Sequence, residues 1–99
     1  MRMRARHSSG NVFRDVGFDA QEAENLRLRA DLMIQLTKLI KSRGLTQARA
    51  AKVLGVTQPR VSDLVRGRIE LFSIDSLVEM LGRAGVRVSL VVKAGKRVA

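Results

Sequence analysis

The stretch from Leu45 to Gly67, LTQARAAKVLGVTQPRVSDLVRG, constrains the fold more than any other part of the chain. It holds two short helical patterns with only Gly55 and Val56 between them. Each pattern opens on a threonine followed by glutamine, Thr46-Gln47 and Thr57-Gln58. A threonine oxygen at such a position accepts an N–H of the first helical turn, so both threonines read as caps. Gly55 supplies the positive φ that a tight turn after a helix requires. Pro59 falls in the first turn of the second helix, where a missing N–H removes no bond. Ala50, Val53 and Leu54 of the first helix face inward, as do Val61, Leu64 and Val65 of the second. Ala51 marks the closest approach of the pair. Two such short helices cannot bury their own apolar faces, so the rest of the chain must support them.

That support is readable on both sides. The spacing predicts a long helix over Asp19–Arg43. Asp19 caps it, Glu22 and Glu24 favour its N-terminus, Lys38, Lys41 and Arg43 favour its C-terminus, and Gly44 ends it. Its apolar residues span roughly 240° of the circumference at about 100° per residue, far more than one packed face needs. The helix therefore meets more than one layer, the second being the N-terminal leader or another subunit. Arg68 to Phe72 reads as a loop that brings Ile69, Leu71 and Phe72 near the core. Ser73 caps a further helix with Ile74, Leu77, Val78 and Leu81 on its buried stripe, and Gly85 closes it. The leader Asn11–Phe18 carries Val12, Phe13, Val16 and Phe18, and is expected to fold back as an irregular segment or short strand. Val86–Val92 alternates apolar and other residues and reads as a β-strand, whose partner is the leader or the same strand in a second chain. Residues 1–10 and 93–99 are expected to be basic tails, the first of them disordered, leaving one domain over 11–92.

Charge narrows the function. Nineteen Lys and Arg oppose nine Asp and Glu, for a formal charge of +10. Such a chain attracts polyanions, and neutralised phosphates release counterions. Outside the two tails, 13 basic residues still face nine acidic ones, so the body is only mildly basic. With no Cys and a single His, His7 in the tail, thiol chemistry and a His/Cys metal site have no residues to use. No catalytic constellation or phosphate-binding glycine loop appears, so neither an enzyme nor a cofactor is expected. No apolar run is long enough to span a bilayer and no secretory signal opens the chain, so a cytoplasmic protein is expected.

An αα-hairpin explains the apolar spacing but not the polar first turns of the second helix. Gln58, Arg60 and Ser62 are side-chain types that reach base edges: Gln pairs with adenine, Arg with guanine. The stretch L-T-Q-x-x-A-A-x-x-L-G-V-T-Q-P-x-V-S-x-L-x-x-G resembles the helix-turn-helix of the Xre/Cro-repressor family. The resemblance implies a mainly α, lambda-repressor-like bundle of about four to five helices, closed here by the short C-terminal β-strand. It implies a phosphate contact at Gln47 and base reading by Gln58, Pro59, Arg60 and Asp63, with Ser62 beside them. Thr46 and Thr57 join Gln47 on the phosphate side, and Arg66 and Arg68 are added from charge and position.

Residues 10 to 92 also look like the antitoxin-type subgroup, similar to HigA-type antitoxins, through Gly10-Asn11-Val12-Phe13, Asp15, Gly17, the Q-P-x-V-S stretch and Phe72-Ser73. This implies a repressor that binds a palindromic operator in double-stranded DNA as a homodimer. It also implies that the repressor neutralises a small RelE/HigB-like toxin through local acidic groups such as Asp19, Glu22 and Glu24. Two alternatives remain from the sequence: a stand-alone transcription regulator, or a helical protein-interaction module.

Overall fold

The computed structural model describes residues 11–94, so the tail expected at 1–10, and all but the first two residues of the one expected at 93–99, lie outside it. Five α-helices follow one another, α1 (Val12–Asp15), α2 (Ala20–Ser42), α3 (Gln47–Leu54), α4 (Gln58–Val65) and α5 (Ile74–Arg83), with a 3-10 turn at Ile69–Leu71 between the last two. The long α2 is the central element. It packs against α1, α4, α5 and the 3-10 turn, while α3 packs on α4 and α5.

Helix boundaries follow the capping chemistry. The Asp19 carboxylate accepts the Glu22 N–H at 2.8 Å and starts α2. Ser73 and Ser76 form a reciprocal box at the head of α5, each hydroxyl accepting the other's backbone N–H at 3.1 and 3.2 Å. The core is aliphatic apart from one ring: Met33, Leu36 and Ile40 of α2 meet Ala50, Leu54, Val61, Leu64, Phe72, Leu77 and Leu81. Leu36, Leu54, Leu64, Leu77 and Val61 are fully enclosed.

The over-wide apolar surface of α2 divides into three parts. The core covers Met33, Leu36 and Ile40. The leader covers another strip, but as a single helical turn and not as a strand. The Asn11 amide donates to the Ala23 carbonyl at 3.2 Å and its side-chain oxygen accepts the Phe13 N–H at 3.0 Å, which starts that turn and pins it to α2. Phe13 and Phe18 then meet edge to face at 6.2 Å. Leu28 and Ile34 remain about two-fifths exposed.

The C-terminal segment departs from the sequence reading. Among the described residues no strand forms, and Val86–Val92 has no ladder partner. Val86 donates its N–H to the Leu81 carbonyl and packs on the core, after which the chain leaves the body and Leu90, Val91 and Val92 stand at least 78% exposed. The physical reason is topological. A strand exists only against an edge, and the leader, the one internal candidate, spends its backbone groups in α1. Leu71 is the second departure: it is 44% exposed, while Phe72 beside it is buried.

Candidate nucleic-acid interface

The α3–α4 unit is built as its sequence spacing requires. The Thr46 hydroxyl oxygen accepts the Arg49 N–H at 3.1 Å, and the Thr57 hydroxyl oxygen accepts the Arg60 N–H at 3.4 Å. Each oxygen satisfies one orphan donor of its helix, and each hydroxyl hydrogen remains available to an outside acceptor such as a phosphate. Gly55 ends α3 at φ 72°, ψ 32°, and the Val56 N–H returns to the Ala51 carbonyl at 3.0 Å. Ala50 and Ala51 are buried, and α3 packs on both α4 and α5. Val61 and Leu64 pin α4 to the core from below, while Val65 stays 37% exposed.

On α4 the buried residues Val61 and Leu64 define an inward direction. At about 100° per residue, Pro59, Ser62, Asp63 and Arg66 cluster about the opposite side, with Gln58 at one margin. Gln58, Pro59 and Arg66 are exposed, and Ser62 and Asp63 half-exposed. One outward face thus carries an amide, a hydroxyl, a carboxylate and a guanidinium, on a helix whose length fits a B-DNA major groove. Thr46, Gln47 and Thr57 are exposed at the leading ends of α3 and α4, and Arg68 is exposed past the end of α4. Arg68 is tethered there, its N–H donating to the Asp63 carbonyl at 3.0 Å.

Arg60 does not join that face. Its guanidinium sits 4.2 Å from the centre of the Phe72 ring and donates to the Leu71 carbonyl at 2.8 Å. The reason is angular: Arg60 emerges beside Leu64, roughly 110° from the middle of the outward face, so its side chain meets the loop before α5. Sequence alone puts Arg60 at the groove edge, because residue type and proximity to Gln58 are all it can weigh. The Phe72 ring that captures it lies beyond the end of α4, across the 3-10 turn.

Sequence reasoning misses two basic residues. Arg49 and Lys52 stand exposed on the outer side of α3. Their signal is present: both lie opposite Ala50, Ala51 and Leu54 on the helical wheel. The ion pairs formed among the described residues, Arg27 with Glu24 and Asp31 and Arg83 with Glu79, involve none of Arg49, Lys52, Arg66 and Arg68. In the α2 cluster the Arg27 guanidinium is held above its ordinary pKa, chiefly by its hydrogen bond to Glu24, so that trio keeps its charges to itself. No group of three or more His, Cys, Asp or Glu gathers among the described residues in a way that would hold a metal. No helix among them is long and apolar enough to cross a membrane.

A family model described as a helix-turn-helix domain matches residues 12–93. A solved structure called a "Putative XRE Family Transcriptional Regulator" superposes with a TM-score of 0.71 at 32% sequence identity, over 79% of this chain and 90% of that one. No curated protein matches. With the family model spanning most of the chain, and α3 and α4 both capped by threonines, the chain belongs to the helix-turn-helix domain family and is of the XRE type.

Proposed function

We propose that the chain is a sequence-specific DNA-binding transcription regulator that inserts α4 into the major groove. One observation carries the reading: the outward face of α4 is polar, capped and unspent, while its inward face is locked to the core by Val61 and Leu64. Gln58, Pro59, Ser62 and Asp63 meet base edges. Pro59 makes apolar contact, and Asp63 accepts from cytosine N4. Thr46, Gln47, Thr57, Arg66 and Arg68 meet phosphates, with Arg49 and Lys52 beside them. The regulator works in the cytoplasm as a homodimer on a palindromic operator, with its two α4 helices about 34 Å apart. The unpaired Val86–Val92 segment supports the dimer, since the described residues of its own chain offer it no strand edge.

Gel shifts with the DNA upstream of its own gene, at stated salt, test this. The expected result is a preference over unrelated DNA that Gln58→Ala relaxes, while Gln47→Ala weakens binding to every sequence alike. Binding with no sequence preference would overturn the reading and favour a protein-interaction module.

The antitoxin-type resemblance supports a second role, autoregulation of an operon that also encodes a small toxin. Of the acids expected to meet such a toxin, Asp19 serves as a helix cap and Glu24 pairs with Arg27, which leaves Glu22 as the most available. Co-expression with the adjacent small reading frame is the test. Rescue of growth and co-purification support the role, and a regulator with no such neighbour stands alone.

A further inference from the structure

We propose that Arg60 and Phe72 form a latch that sets the angle at which α4 enters DNA, so that Arg60 is a positioning residue and not a base reader. The inference rests on the assignment of α4 to the groove and concerns what fixes α4 there.

Arg60 belongs to the first turn of α4, the turn that also carries Gln58 and Pro59. Its guanidinium is used twice on one side: it stacks 4.2 Å from the Phe72 ring centre and donates to the Leu71 carbonyl at 2.8 Å. What it grips is itself held. Arg29 of α2 donates to the carbonyls of Ile69 and Phe72 at 3.2 and 3.3 Å, and Asn25 in turn accepts from the Arg29 Nε at 2.8 Å. The Phe72 side chain is 2% exposed. A continuous line of contacts therefore runs from Asn25 and Arg29 on the central helix, through the backbone of residues 69–72, to the first turn of α4. Without Arg60, Val61 and Leu64 still hold α4 to the core but fix its roll less sharply, because apolar contact is not directional. A planar guanidinium facing one ring and one carbonyl sharpens it.

A latch and a base reader differ in what they change. Losing a reader relaxes preference at one base pair. Losing the latch displaces every side chain on the face at once, so preference flattens together at all positions read by Gln58, Ser62 and Asp63.

The test is selection from a randomised half-site library, with affinities for the selected operator and for unrelated DNA, on the full chain and on Gln58→Ala, Arg60→Ala and Phe72→Leu. The expected result is that Arg60→Ala and Phe72→Leu each weaken operator binding by about 5- to 30-fold, the equivalent of about 1–2 kcal/mol. They should flatten several adjacent positions alike, leave affinity for unrelated DNA within about twofold, and in combination cost no more than the worse single change. Should Phe72→Leu unfold, NMR of the unaltered chain decides: the Arg60 side-chain protons, shifted by the Phe72 ring, should keep that shift when operator binds. Loss of the shift on operator binding, or loss of preference at a single guanine in Arg60→Ala with Phe72→Leu unaffected, overturns the latch. If Gln58→Ala leaves operator preference intact, the groove assignment of α4 falls and the latch with it.

Discussion

Replacing Gly55 by alanine separates two costs that a tight turn combines. Gly55 lies at φ 72°, and an alanine Cβ built there would sit 2.6 Å from Cδ and 2.9 Å from Nε of Arg83. Placing an L-residue in the left-handed region costs about 1–2 kcal/mol. Alanine recovers roughly 0.4–1 kcal/mol by restricting the unfolded chain. The backbone balance is therefore a loss of about 1 kcal/mol. The second cost is steric. Arg83 is more than half exposed and flexible, so it swings aside, and its 3.7 Å pairing with Glu79 goes with it. Exposed pairs of this kind are worth about 0–1 kcal/mol. Gly55→Ala should thus destabilise by about 1–2 kcal/mol, which for a domain near 100 residues lowers Tm by roughly 5–15 °C. Gly44 is the control. It has φ 63° and nothing within 4 Å of where a Cβ would stand, so Gly44→Ala carries the backbone cost alone. Thermal unfolding followed by circular dichroism, in the unaltered chain and in an Arg83→Ala background, reads both costs. With Arg83 removed, the Gly55 and Gly44 substitutions should cost the same. A Gly55→Ala protein that melts higher than its parent refutes the strain argument, and an excess cost that persists without Arg83 refutes the steric one.

Two further outcomes follow from the same geometry. Leu36→Ala, at a fully buried position where α2 meets the core, should cost about 2–5 kcal/mol, measured as a drop in the urea midpoint with unchanged slope. Replacing Arg66 and Arg68 together by alanine should reduce the slope of log affinity against log salt by about 2 without altering base preference, and an unchanged slope would remove both from the phosphate set.

What the sequence disclosed depended on whether the cause was local. Both threonine caps, Gly55, Pro59 and the boundaries of α3 and α4 were readable because each is decided within four residues. Asp19 and Ser73 announced α2 and α5 for the same reason. The leader was misjudged because its helical turn hangs on Asn11, whose amide is bound to Ala23, a contact between separate elements. Arg60 turns toward Phe72, which competes for it from across a loop that sequence proximity does not reveal. Alternation in Val86–Val92 marks a segment suited to a strand, yet alternation describes side chains, and a strand also needs a second backbone. Family resemblance supplied the role proposed for α4, which composition alone did not, since the body of the chain is only mildly basic.

If the proposed dimer pairs Val86–Val92 with its own copy, symmetry restricts how. With the two strands antiparallel about a two-fold axis perpendicular to them, the contact is isologous. With Ser89 at the axis, Val88 faces Leu90, Val86 faces Val92 and Arg87 faces Val91. All apolar even-numbered residues then share one side, and the two Arg87 side chains never oppose each other. Any shift of the axis to Val88 would set Arg87 against Ser89 and leave Val91 and Val92 without partners in the segment. The register makes a sharp prediction in a chain that has no cysteine. Two Ser89 residues at the axis lie about 4.5–5.5 Å apart between Cα atoms, within disulfide range. The two Arg87 residues are displaced by four positions, roughly 13 Å along the strands, and cannot be bridged. Ser89→Cys should therefore form a covalent dimer under mild oxidation, seen on a non-reducing gel, while Arg87→Cys should not. Cross-linking at both positions alike would indicate random collision, and cross-linking at Arg87→Cys alone would place the axis elsewhere. A Ser89→Cys protein that still sediments as a dimer yet does not cross-link would mean that the two copies are joined elsewhere than through this segment.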